Sequence, residues 1–371
     1  CGSLGKRLRI STNTRSKPMT AVLFIVLLSI IVTIHEFGHF LVAKAFGVYC
    51  FEFSIGMGPA LFTRKGKETK FSIRALPIGG YVAMAGETEG DEAYPDVKVP
   101  EGRRITDQKP WKKICIMLAG VAMNFLLAWV IFSMFLLNTG TFTKSSEPVI
   151  ATVLENSPAE QAGLQAGDRI IKVVKEDGSS VEPKTFLEFQ AFNGDNKGTE
   201  TFTILRDGQT LTVEVTPTYN KETDSYMFGI SAKAGEQVKI NLLNCWYYGL
   251  VEMQVITSMT IQALLNLVRG RGLNQLSGPV GIYQATATYA SLGFGAYMML
   301  VAQISLNVGI FNLLPLPVLD GGQVVITVLE WITRRQFNEK LKTAIMIVCW
   351  VLLISVMIFA TWNDISKLFI K

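Results

Sequence analysis

The sequence predicts a polytopic α-helical membrane protein with four transmembrane helices, a β-sheet loop at the membrane edge and an inserted β-rich domain. Three observations carry this. Of the 371 residues, 49% are hydrophobic and only 18% are charged, an apolar balance for a chain of this size. Four stretches are long and apolar enough to cross a bilayer. Between the second and third lies a segment of short alternating runs broken by turns, the pattern of strands.

The elements follow in order. Residues 1–18, CGSLGKRLRISTNTRSKP, are polar and basic and read as a leader foreign to the fold, with Met19 opening the first crossing. That crossing, 19–47, is interrupted only by His35, Glu36 and His39 until its end. Residues 48–90 contain FEFSIGMGPALF and KFSIRALPIGGYVAMAGE, alternating runs bounded by Gly and Pro. Open strands are not tolerated against lipid unless protein or a cavity satisfies them, so this loop is expected to re-enter and pack on the helices. A loop, 91–112, leads to the second crossing, 113–140, with no charge between Lys113 and Lys144. The β-rich domain spans 146–234 and includes PVIATVL, DRIIKVV and ETFTILRDGQTLTVEV. Residues 238–290 are apolar but carry Glu252, and read as amphipathic helices lying at the interface. The third crossing, 294–331, ends an uncharged run from Gly272 to Leu319, and the fourth occupies 343–363.

The net charge of +5 is too mild to indicate nucleic acid, and no basic patch is interleaved with aromatics. Lys and Arg concentrate instead in the loops between crossings one and two and between three and four. The positive-inside rule places both loops in the cytoplasm and the β-rich domain outside. Five scattered cysteines form no CxxC, which excludes a zinc ribbon or dithiol motif.

His35 and His39 are four apart, so a helix projects both imidazoles from one face, one turn apart. Glu36 sits beside them and can reach a water held by the same metal ion. The chain has two histidines in all, and both are in this motif. Three ionisable groups in two turns of a membrane helix cost roughly 3 kcal/mol or more each, and a metal ion compensates them. A tetrahedral catalytic zinc needs a third protein ligand. Asp320, in NLLPLPVLDGGQVV, is the outstanding candidate. The alternative is that Asp320 caps the helix after it, with Gly321 and Gly322 as a turn. Pro315 and Pro317 interrupt the third crossing. His35 and Asp320 meet at one depth only if crossings one and three run the same way, which is why 240–268 is read as interfacial rather than spanning.

HEFGH in the first crossing, NLLPLPVLDGG in the third and SPAEQAGLQAGDRIIKV in the insert resemble the site-2 protease family, in its bacterial branch that regulates sigma factors. FSIGMGP, GGYVAMAGE, AGVAMNF and SGPVGI extend the resemblance over nearly everything from Met19. The resemblance implies a Zn2+ ion held by His35, His39 and Asp320, with Glu36 as general base. It implies that Asn312, and more weakly Asn307, contacts an unwound substrate backbone; both also have a plain reading as interhelical hydrogen bonders. Gly120 and Asn124 form the family's GxxxN pattern, read as close packing and a polar link. The insert resembles a single PDZ domain. The function implied is regulated intramembrane proteolysis of single-pass membrane proteins such as anti-sigma factors and remnant signal peptides, in the bacterial cytoplasmic (inner) membrane. The PDZ-like domain would be extracytoplasmic and the active site in the cytoplasmic half of the bilayer. The rivals are a membrane-anchored HExxH protease cutting outside the bilayer, a catalytically inactive PDZ scaffold, and a transporter using buried carboxylates.

Overall fold

A computed structural model describes residues 17–193, 197–220, 225–268, 270, 276–335 and 337–369. The expectation of a foreign leader therefore falls, up to residue 16, outside the described residues. The chain divides into two compact units, one of residues up to Phe135 and from Gly249 onward, the other Leu136–Tyr248.

In the first unit, α1 (Lys17–Ala45) and α2 (Pro110–Thr139) are long apolar helices. Neither has an interior Pro, so each satisfies its own backbone hydrogen bonds throughout, as a bilayer demands. The two approach closely because of glycine. A Cβ on Gly38 would overlap the Ala119 carbonyl of α2.

Strands β1 (Cys50–Lys65) and β2 (Lys70–Met84) are antiparallel and bent back on themselves. Residues 52–55 pair with 70–73 on one side and with 80–83 on the other. The sheet has two unlike faces, as period-2 alternation requires. Phe53 packs with Val82 and Phe40 toward α1. Glu52 lies on the other face and is fully buried. It accepts two hydrogen bonds from Arg74 Nη2, at 2.8 and 3.0 Å, and one from the Tyr94 hydroxyl.

The C-terminal part of this unit holds α3 (Cys245–Val268), α4 (Pro279–Ser291), α5 (Phe294–Asn312), α6 (Asp320–Thr333) and α7 (Glu339–Phe369). Ala128, Phe132, Leu300, Val301 and Leu306 form its buried core with Leu27 and Ile31 of α1. The third crossing is thus two helices, divided at 313–319. Five helices among the described residues, not four, are long and apolar enough to cross a membrane: α1, α2, α3, α5 and α7. The additional one is α3, the stretch expected at the interface. Its face Gly249–Thr260 lies along the bundle. A Cβ on Gly249 would overlap Ser133 of α2, and Thr260 Oγ1 donates to Asn307 Oδ1 of α5 at 2.9 Å. Length and composition suit α3 to a crossing, while its apolar window is not buried inside the structure and Glu252 gives it the amphipathic character of a surface helix.

The second unit is β-rich. Strands β3 (Ile150–Val153), β4 (Arg169–Lys175), β5 (Glu200–Arg206), β6 (Gln209–Val215) and β7 (Ile230–Ala232) are present, with β5 between β4 and β6, and β7 paired to β3. Phe202, Ile204, Ile170 and Val173 fill its core with Phe186 and Phe189 of a short helix, Phe186–Asn193. Asp168 is almost fully buried and takes 2.7 Å hydrogen bonds from Arg206 Nε and Nη2. Burial opposes its ionisation, but the Arg206 bonds and the Gln165 backbone N–H outweigh burial and hold the carboxyl below its ordinary range.

Candidate metal centre

Helical spacing on α1 brings His35 Nε2 and His39 Nε2 within 3.2 Å of each other. Asp320, the first residue of α6, adds Oδ2 at 3.1 Å from His35 Nε2 and 3.5 Å from His39 Nε2. A tetrahedral ion with ligands at about 2.0–2.1 Å separates neighbouring ligand atoms by roughly 3.3 Å. The three atoms thus form the triangular face that such an ion requires. Both imidazoles are buried, and Asp320 Oδ2 is buried without a hydrogen-bond partner. Leaving such a group unpaired costs roughly 1–3 kcal/mol or more, which a cation coordinated there removes. The residues present therefore fit a zinc ion.

The opposite edge of each ring faces α2. His39 Nδ1 donates to the Ile116 carbonyl at 2.8 Å, and His35 Nδ1 lies 3.2 Å from Asn124 Nδ2. Gly120 lies between them, where a Cβ would fall 2.7 Å from His39 Cε1 and 2.8 Å from His35 Cε1. Positions 116, 120 and 124 repeat every four residues and so share one helix face. The GxxxN spacing was visible in the sequence; the part played by the Ile116 carbonyl was not, because a backbone group has no sequence signature.

Asp320 reaches the site through the break between α5 and α6. Residues 313–319 turn the chain, with Leu316 N–H donating to Leu314 O and Leu319 N–H to Leu316 O, both at 2.8 Å. Pro315 and Pro317 cannot continue a helical ladder there. Gln323 Nε2 fastens the turn by donating to Pro317 O at 2.5 Å. Gly321 and Gly322 are buried against it: a Cβ on either would overlap the carbonyl of Leu313 or Leu316. The N-cap of α6 is Leu319, with no side-chain cap bond, so Asp320 does not serve as the cap that its position before two glycines suggested. Asn307 is engaged by Thr260. Asn312, the last residue of α5, makes no side-chain hydrogen bond within the described residues.

Glu36 points to the other side, toward the 80–83 edge of the sheet. The Val82 backbone N–H faces its carboxylate, and an ideal Cβ on Gly80 would be 3.9 Å from Glu36 Cγ. That edge pairs with 52–55 on its far side only. The Glu52–Arg74–Tyr94 network that braces the sheet was missed in the sequence. Its signal was a single acid in FEFSI, an inward-pointing charge in an otherwise apolar strand.

Fold and site together define a helix-embedded centre of two histidines and one carboxylate, with a second carboxylate, Glu36, beside it. The profile of Peptidase family M50 matches residues 23–356, and the chain belongs to that family, which is zinc-dependent. A protein of Agrobacterium fabrum named a zinc metalloprotease is 34% identical over 366 residues, 93% of this chain and 95% of that protein. Zinc metalloprotease RasP of Bacillus licheniformis is 31% identical over 427 residues, covering 95% of this chain and all of RasP (100%). A Clostridium perfringens protein, also named a zinc metalloprotease, is 34% identical over 340 residues, 91% of this chain and 96% of that protein. Among solved structures, a PDZ domain of an SdrC-like protein from Listeria monocytogenes matches at TM-score 0.20 and 18% identity, over 24% of this chain and 92% of that domain.

Proposed function

We propose that this chain is an intramembrane zinc endopeptidase that cleaves single-pass transmembrane proteins. The carrying observation is the triangle of His35 Nε2, His39 Nε2 and Asp320 Oδ2, with sides of 3.1–3.5 Å, buried in apolar helices. His35, His39 and Asp320 would hold the ion. When bound, zinc supplies a Lewis acid that lowers the pKa of water to about 7 and polarises the scissile carbonyl. Glu36 takes the proton of the attacking water and delivers it to the leaving nitrogen. The Val82 N–H keeps that carboxylate aimed across the sheet edge.

A transmembrane helix shields its peptide bonds with its own hydrogen bonds, so it must unwind before cleavage. Strand addition to the 80–83 edge gives the freed groups partners, and the side-chain amide of Asn312 adds another. The substrate class is that of regulated intramembrane proteolysis, anti-sigma factors and remnant signal peptides, in a bacterial cytoplasmic membrane. The basic loops then face the cytoplasm with the metal centre in that half of the bilayer, and the PDZ-like domain lies outside.

The test compares wild type with Glu36→Gln, measuring zinc content and cleavage of a transmembrane substrate in detergent or liposomes. About one zinc per chain is expected in both, with cleavage in wild type alone. Turnover retained by Glu36→Gln, or a wild-type chain without zinc, would refute the assignment.

A further inference from the structure

Asn124 is fully buried, and its Nδ2 lies 3.2 Å from His35 Nδ1 while its Oδ1 has no hydrogen-bond partner. Across the ring, His35 Nε2 faces His39 Nε2 and Asp320 Oδ2. A neutral imidazole carries one proton. For Nε2 to offer its lone pair to a metal ion, that proton must sit on Nδ1, and the Nδ1–H then needs an acceptor. An amide NH2 cannot provide one. Half a turn of the amide exchanges Oδ1 and Nδ2 within nearly the same volume. It sets the carbonyl oxygen against Nδ1–H. In the present orientation Oδ1 has no partner among the described residues and Nδ2 meets only His35 Nδ1, so no other hydrogen bond of Asn124 fixes the amide. The tautomer of His35 does.

We infer that Asn124 is a positioning residue whose Oδ1 accepts the His35 Nδ1–H and holds the ring in the tautomer that ligates through Nε2. This rests on the metal-centre reading above and adds to it a group that touches neither ion nor substrate. The Ile116 carbonyl serves His39 in the same way at 2.8 Å. One face of α2 therefore supplies the outer acceptor for both histidines. A backbone carbonyl accepts whatever its side chain, so the His39 partner is insensitive to substitution. The His35 partner is not. Outer acceptors of this kind raise the basicity of a ligating imidazole and fix its plane.

The test uses the full chain purified in detergent, with zinc affinity read by competition against a chromophoric chelator and geometry by the visible spectrum of the cobalt-loaded protein. Asn124→Asp keeps an acceptor in place and removes the amide donor. Asn124→Leu keeps the volume and removes both. Leu is expected to weaken zinc binding about 10–100-fold and to alter the cobalt spectrum; Asp is expected to bind zinc at least as tightly as wild type, with the wild-type spectrum. Leu with wild-type affinity and spectrum overturns the inference. So does a folded Asp variant that loses zinc, since the donor or the packing would then be what matters; this arm decides the question even if the Leu variant does not fold. Wild type and His35→Ala run alongside. A wild-type chain without zinc, or His35→Ala holding zinc unchanged, overturns the metal centre itself, an outcome distinct from failure of Asn124 alone.

Discussion

Gly120→Ala adds one methyl group at the point where α2 meets both imidazoles. Its Cβ would fall 2.7 Å from His39 Cε1 and 2.8 Å from His35 Cε1, whereas ordinary contact begins at 3.4 Å. The nearest atom is His39 Nε2, one of the three clustered metal-binding atoms, which the methyl group overlaps more deeply than either Cε1, so relief needs a separation of roughly 1 Å. The rings cannot yield alone, since His39 is bonded to Ile116 O at 2.8 Å and His35 meets Asn124 at 3.2 Å. A shift of this size carries both contacts past hydrogen-bonding reach and distorts the His35–His39–Asp320 triangle. Two effects compete in stability. Alanine improves the helix by about 1 kcal/mol, and overpacking costs about 1–3 kcal/mol. The fold should therefore survive while the site suffers. Zinc affinity should fall about 10–100-fold, and turnover by about 100-fold, as for a displacement near 1 Å. Chelator competition and a transmembrane-substrate assay measure the two. Gly295→Ala is the control, because its Cβ would meet Phe135 at an ordinary 3.5 Å. Wild-type affinity and turnover in Gly120→Ala would refute the close-contact account.

Gly322→Ala should release zinc with the rest of the helices intact, because its Cβ would overlap the Leu316 carbonyl and the turn that delivers Asp320; unchanged zinc content would count against it. Asn312→Ala should keep zinc and lose turnover, whereas Asn307→Leu should keep both and lose only its bond to Thr260, about 0.6 kcal/mol in a membrane; the reverse pattern would exchange their roles. In the β-rich unit, the folded pKa of Asp168 is lowered, so its unfolded form binds protons more readily and its contribution is fully present above the ordinary 3.8. That contribution fades as pH falls below this value toward the folded one, and Arg206→Ala should remove roughly 1–3 kcal/mol at neutral pH and flatten the acid limb of this unit's unfolding curve. An unaltered acid limb would mean that the pair contributes nothing.

The parts of the molecule legible in the sequence were those with a period. Uninterrupted apolar runs marked α1, α2 and α7, and alternation marked the sheet of β1 and β2. The cluster of His35, His39 and Asp320 was legible because the two histidines are the only ones in the sequence and Asp320 ends a long uncharged run. What escaped was set by tertiary packing. Whether α3 lies on a surface or in a bundle depends on what its small residues meet, and Gly249 against Ser133 is a long-range contact. The division of the third crossing was visible as Pro315 and Pro317, but the exact seat of the following helix was not, because Gly321 and Gly322 abut carbonyls eight and six residues earlier. The Ile116 carbonyl left no trace at all.

The depth of Asp320 was expected to forbid a further crossing between α2 and α5, since one more would invert α5 and carry the aspartate to the wrong face. The packing shows how a fifth apolar helix avoids this. Tyr297, near the start of α5, donates to Leu23 O near the start of α1 at 2.9 Å, and Ser305 donates to Asn124 O at 3.0 Å. Asn124 lies beside His35 and Ile116 beside His39. So α5 runs parallel to α1, and α2 runs against both. Helix α3 starts level with Ser133 and reaches the level of Asn307 by Thr260, running with α5. Yet the chain is back near the start of α1 when α4 begins. Tyr283 packs on Phe24, and Gly278 and Gly281 donate to Asp364 of α7 at 2.8 and 2.7 Å. The excursion along α3 is undone before α5 starts, so it changes the number of apolar helices without changing the direction of the one that carries Asp320. What the meeting of Asp320 with His35 and His39 constrains is the direction of α5 relative to α1, not the number of helices between them.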